Sequence, residues 1–113
     1  MGHRHPANRF LDNFDKLRVK MEKQRSLVTK SRFEIEENGQ IAYLEFETDG
    51  HGWMTIWHTE VPPTMRGKGN ASELAKTAFE YARANSLKVD VICPLAANFL
   101  ANNPEYKSLI GRQ

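Results

Sequence analysis

Between residues 61 and 72 runs Val61-Pro62-Pro63-Thr64-Met65-Arg66-Gly67-Lys68-Gly69-Asn70-Ala71-Ser72, a stretch whose residue types suit an anion. Gly67 and Gly69 permit backbone turns that a side chain would block, so consecutive N–H groups can converge on one point. An amphipathic helix expected from about Ser72 to Asn85 begins directly afterwards, and its first turn adds about half a positive charge. Arg66 and Lys68 add whole charges, the amides of Gly67, Gly69, Asn70 and Ala71 complete the cradle, and Ala71 keeps the helix start small. A diphosphate fits such a loop. Two common phosphate loops do not match it: Gly-x-x-x-x-Gly-Lys-Ser/Thr is absent, and the third small residue of a dinucleotide fingerprint is Ser72 here.

Other residues with usable chemistry flank this loop. His58 and Glu60 precede it on a strand and are candidates for a general base. Cys93 stands at the end of a short strand and before a helix start, where the helix dipole contributes only about 0.3–1 kcal/mol. That is too little to ionise a thiol unaided, so a nucleophilic Cys93 needs a second activator, for which His58 is the candidate. An inert buried thiol is the alternative.

The elements that must position these residues are legible as patterns. From Phe10 to about Thr29, apolar residues at Phe10, Leu11, Phe14, Leu17 and Met21 predict an amphipathic basic helix. Alternation on both sides of Asn38-Gly39 predicts a two-residue β-hairpin. A third strand, Trp53 to Glu60, places Trp53, Thr55, Trp57, Thr59 and Val61 on one face, with Met54, Ile56, His58 and Glu60 on the other. Pro62 and Pro63 cannot donate ladder hydrogen bonds, so pairing is expected to fail there. The helix after the loop turns Leu74, Ala75, Ala78, Phe79 and Ala82 to the core. A strand from Lys88 to Cys93 then lies parallel to the third strand. Pro94 opens a further helix, and Asn103-Pro104 a last helical turn capped by Asn103.

Arg66-Gly67-Lys68-Gly69-Asn70-Ala71 resembles the coenzyme A pyrophosphate loop of the GNAT acetyltransferases, Gln/Arg-x-x-Gly-x-Gly/Ala. With His58-Thr59-Glu60-Val61-Pro62, Cys93-Pro94 and Asn103-Pro104-Glu105-Tyr106, residues 32–110 resemble the short, minimal YjdJ-type subfamily. The resemblance implies a GNAT fold, an α/β (α+β) architecture with a mixed sheet, antiparallel N-terminal strands and a βαβ unit, to which an N-terminal helix is added. It implies acetyl-CoA as cosubstrate, an amine acceptor and N-acetyl transfer, with no metal. Implied coenzyme contacts are Thr59, Val61, Arg66, Gly67, Lys68, Gly69, Asn70, Ala71 and Asn98. The Val61 amide is the implied oxyanion donor, and Tyr106 resembles the tyrosine that larger members hold near the coenzyme sulfur. Catalysis is assigned to Glu60, His58, Tyr106 and Cys93, by direct attack or through an acyl-cysteine. A non-catalytic acyl-CoA-binding or protein-interaction module on the same scaffold is the alternative.

The chain has 113 residues, 40% hydrophobic and 27% charged, enough for one domain. That domain is expected over 31–113, after an N-terminal extension over 1–30. No apolar run reaches the roughly 20 residues of a membrane span. A single cysteine and an N-terminus without an apolar core suggest a cytoplasmic protein. Residues 1–32 hold nine Lys/Arg against three Asp/Glu, and the remainder seven against eleven. The charge reads as a solvated helix face, while the apolar stripe of that helix suits the sheet, a protein partner or self-association. Nucleic acid is disfavoured because no recognised motif accompanies the charge.

Overall fold

The structure is a computed structural model that describes residues 17–23 and 29–111. Five strands form one sheet in the order β1 (Leu17–Lys23), β2 (Thr29–Glu37), β3 (Gln40–Thr48), β4 (Trp53–Glu60), β5 (Lys88–Val91). The first three pairings are antiparallel, and β4 with β5 is parallel. Helix α1 (Asn70–Ala84) makes the crossover between β4 and β5, and α2 (Pro94–Asn102) follows β5. Short 3-10 turns span Pro63–Met65 and Pro104–Leu109. The α/β architecture with a βαβ unit is the expected one.

The N-terminal helix is corrected where it is described. Leu17–Lys23 is a strand, in register with β2 so that Leu17, Val19 and Met21 oppose Ile35, Phe33 and Ser31. Leu17 to Glu22 alternates strictly, a period-two signal that the helical spacing of a few apolar residues masked, and the free edge of β2 supplies the backbone partners. Residues 1–16 and 24–28, where the rest of that helix was expected, lie outside the described residues.

The hairpin is as expected: Asn38 and Gly39 have φ of 51° and 81°, the doubly left-handed pair that matches strand twist. After β3, the Asp49 carboxylate accepts from the N–H groups of His51 (2.7 Å) and Trp53 (3.1 Å), which closes the turn into β4.

Strand β4 departs from simple alternation. Phe46 pairs with Ile56 but Glu45 with His58, so Trp57 is an extra residue in a bulge. Met54 and Ile56 are buried, Trp57 and His58 are both exposed, and Thr59 is buried in turn. Thr59 and Val61 therefore join Met54 and Ile56 on the core side, which corrects the face assignment for this strand.

All five expected core residues of α1 are buried, and fully burying Phe79 or Leu74 contributes roughly 1.5–3 kcal/mol each. Phe33 stacks on Phe46 with centroids 4.9 Å apart, and Tyr81 of α1 meets both rings at 5.6 Å. A second aromatic group joins α1 to the C-terminal segment: Phe79, Phe99 and Tyr106, 5.5–6.0 Å apart. Asn103 precedes the last 3-10 turn but does not cap it. Its Nδ2 donates backward to Phe99 O at 2.9 Å and closes the end of α2 instead. No described helix is long and apolar enough to cross a membrane.

Candidate functional site

The last ladder pair between β4 and β5 is Ile56 with Val91. There Ile56 O accepts from both Ile92 N (2.9 Å) and Cys93 N (3.1 Å), after which the chain turns into α2. The two strands therefore part after Ile56, at the edge of the bulge and six residues ahead of Pro62. The prolines end the β3 pairing, which runs to Glu60; Cys93-Pro94 and the bulge open the gap to β5.

That gap continues into a groove of about 520 Å³, lined by Thr59, Glu60, Val61, Met65, Arg66, Gly67, Gly69, Asn70, Ala71, Ser72 and Leu95. The glycine loop forms one wall. Met65 N donates to Pro62 O (2.9 Å) and Arg66 N to Pro63 O (3.3 Å), then Gly67 and Gly69 turn the chain with φ of 77° and 82°. Gly69 is the N-cap of α1, which starts two residues earlier than expected, and no side chain caps it. The N–H groups of the first turn have no acceptor within the helix and face an anion with their positive ends. Glu73 in that turn opposes an anion, while Arg66 and Lys68 favour one.

Asn70, expected to offer only its amide to the cradle, also uses its side chain. Its side chain, on a residue 6% exposed, donates to Met65 O at 2.9 Å and ties the two ends of the glycine loop together. Arg66 is tethered similarly, its Nε donating to Val61 O at 2.8 Å, which spends one of five guanidinium donors. Lys68 is more than half exposed and lies 3.8 Å from Glu37. The signal for Asn70 was a polar residue directly after the second glycine.

The structure brings together only part of the expected catalytic set. Glu60 lines the groove and accepts a hydrogen bond from His58 Nε2 at 3.2 Å if that nitrogen carries the proton. His58 itself is exposed, beside the Tyr43 ring and opposite Glu45. It does not reach Cys93. The thiol is 1% exposed, and its Sγ sits 3.3 Å from Thr59 Oγ1, so its neighbour is a hydroxyl and not an imidazole. Asn98 is exposed on α2, outside the groove lining. Among the described residues no cluster of His, Cys, Asp or Glu is arranged to hold a metal ion.

Tyr106 is likewise outside the groove. Its hydroxyl donates to Glu80 Oε2 at 2.6 Å, and the Arg83 guanidinium lies 5.0 Å from its ring centre. Burial, then the Glu80 carboxylate, pushes its pKa from 10.0 up to about 12. A raised folded value favours the protonated form, so this stability is present below pH 10 and lost as the pH climbs toward about 12. Tyrosinate absorbance should therefore show a component at about pH 12 that Tyr106→Phe removes.

A second groove, of about 470 Å³, lies at the bulge and is lined by Lys30, Arg32, Glu34, Glu45, Glu47 and Trp57 among others. Its charges largely answer one another: Arg32 Nε is 3.0 Å from Glu34, and Nη1 is 3.8 Å from Glu45.

A strand thus parts from its parallel neighbour beside an uncapped, glycine-led helix. The model of the GCN5-related N-acetyltransferase family matches residues 32–109. The chain belongs to that family. It is 31% identical over 103 residues to Protein NATD1 of Xenopus tropicalis, covering 87% of this chain and 90% of the relative. With Protein NATD1 of Danio rerio the identity is 34% over 96 residues, covering 83% of each. Among solved structures, a GCN5-like protein of Staphylococcus aureus, determined by NMR, superposes with a TM-score of 0.59 at 26% identity. That match covers 85% of this chain and 89% of the other. The GNAT fold and family are thereby shown.

Proposed function

We propose that this protein is an acetyl-CoA-dependent N-acetyltransferase of the minimal, YjdJ-type kind that acts by direct attack of an amine. The observation that carries the reading is the groove between the parted end of β4 and the Gly67–Ala71 loop. Its donor set fits a diphosphate: two left-handed glycines, an uncapped helix start, Arg66 and Lys68. Thr59, Glu60, Val61 and Leu95 then border the space left for the pantetheine arm and the thioester.

In the transfer, a neutral amine nitrogen bonds to the thioester carbonyl carbon, the C–S bond breaks with its electron pair leaving on the coenzyme A thiolate, and the amine proton leaves. Glu60 is the base with access to the groove, and His58 at its carboxylate offers a path for that proton to solvent. The Val61 amide is assigned to the oxyanion. Cys93 is assigned no covalent role, because its sulfur is enclosed and occupied by Thr59. One observation favours the alternative of coenzyme binding without transfer: the Tyr106 hydroxyl is committed to Glu80, away from the groove.

The test is calorimetric titration with acetyl-CoA, followed by intact-mass measurement and an acetyl-transfer assay over a panel of amines. Saturable binding, turnover, no lasting acetyl adduct and retained turnover in Cys93→Ser are expected. Binding without turnover on any amine supports the non-catalytic module, a stoichiometric adduct on Cys93 overturns direct attack, and no binding at millimolar coenzyme overturns the whole reading.

A further inference from the structure

The two cations of the glycine loop stand differently. Arg66 lines the coenzyme groove, whereas Lys68, two residues on, does not. Lys68 turns instead to the β2–β3 hairpin, where its Nζ lies 3.8 Å from Glu37 Oε1. A second contact fixes that approach. Glu37 pairs with Gln40 across the Asn38-Gly39 turn, and Gln40 Oε1 accepts from Thr64 Oγ1 at 2.9 Å. The hairpin tip thus touches the chain on both sides of Arg66-Gly67, at positions 64 and 68. The side chains of Lys68 and Glu37 are 56% and 37% exposed, so this ion pair can part without opening the core.

We propose that Glu37 competes with the coenzyme diphosphate for Lys68, so that the hairpin tip sets coenzyme affinity. The proposal rests on the reading of the groove as an acetyl-CoA site. Glu37 offers Lys68 what a phosphate offers, an anionic oxygen, and the lysine is a point charge on a flexible four-carbon stem that can reach either. A diphosphate carries more charge than one carboxylate and is also met by Arg66 and the first-turn amides of α1. Lys68 therefore changes partner on binding, and the pair it gives up subtracts from affinity. An exposed pair of this kind holds by a factor of about 1.4 to 5, which bounds the effect. Arg66 is tied to a neutral group, the Val61 carbonyl, and keeps its charge for the groove. Glu37 is thus a positioning residue that acts through Lys68.

The full chain is titrated by calorimetry with free coenzyme A at low and high salt, as wild type, Glu37→Gln, Lys68→Gln and the double variant. At low salt Glu37→Gln should bind about two- to five-fold more tightly than wild type, with its thermal unfolding midpoint almost unchanged. Lys68→Gln should bind more weakly, by about three-fold or more. With Lys68 replaced, the Glu37 substitution should move affinity by less than about 1.5-fold, because the competition has lost its object. High salt should shrink the gain of the single Glu37 variant toward that value. An affinity that Glu37→Gln leaves unchanged or lowers, a gain that salt does not reduce, or the same gain with and without Lys68 overturns the proposal and leaves the acetyltransferase reading standing. Absence of coenzyme binding in wild type overturns both.

Discussion

Gly69→Ala should lower coenzyme A affinity by at least about ten-fold while costing roughly 1–2 kcal/mol of stability, and Gly39→Ala should reproduce only the second effect. Both glycines hold φ near 81°, and neither has an atom within 4 Å of where a Cβ would stand. Their conformational penalty as alanine is therefore similar, about 1–2 kcal/mol for an L residue in the left-handed region. What differs is the space. A methyl group on Gly39 points into solvent at a hairpin tip, whereas one on Gly69 sits at the N-cap of α1, where a diphosphate must approach the first-turn amides. Denaturant unfolding and calorimetric titration of the two variants separate the contributions. Equal losses of coenzyme affinity in both variants would mean that the loop is not the anion site.

The glycine loop was legible because its requirement is local. Two residues in the left-handed region, one residue apart, ahead of a helix with no capping side chain, can be read from residue type alone. The hairpin and the core face of α1 were legible for the same reason, since Asn38-Gly39 and the Leu74–Ala82 spacing each state a local geometry. What failed is non-local. The Trp57 bulge depends on how β3 and β4 pair, and it turns Thr59 from a residue on the Trp57 face into a core residue touching Cys93. Once that strand changes phase, His58 leaves the thiol to which its place on the adjacent strand had joined it. Tyr106 shows the same limit: its hydroxyl is claimed by Glu80, a residue 26 positions earlier that no motif connects with it. Leu17–Lys23 failed differently, because six residues of strict alternation, Leu17 to Glu22, sat inside a longer run that also satisfied a helical stripe.

Asn70 is where fold and site meet, and replacing it should have the other large effect. Asn70→Asp keeps the size and shape of the side chain but exchanges the Nδ2 donor, 2.9 Å from Met65 O, for an acceptor oxygen facing that carbonyl. On a residue 6% exposed, the lost bond and the unsatisfied carbonyl together cost about 1–3 kcal/mol, and a buried carboxylate beside a carbonyl costs more. The new negative charge also stands at the first residue of α1, next to the position assigned to the diphosphate. Repulsion there compounds the loosened loop, so coenzyme affinity should fall by more than the stability loss alone implies. Asn70→Ser separates the two causes, because it removes the reach to Met65 without adding charge. Asn70→Asp is expected to bind coenzyme A at least about ten-fold more weakly than Asn70→Ser at low salt, with the gap closing as salt screens the charge. A gap that does not change with salt would assign the effect to loop geometry, and equal affinities would place the diphosphate away from this helix start.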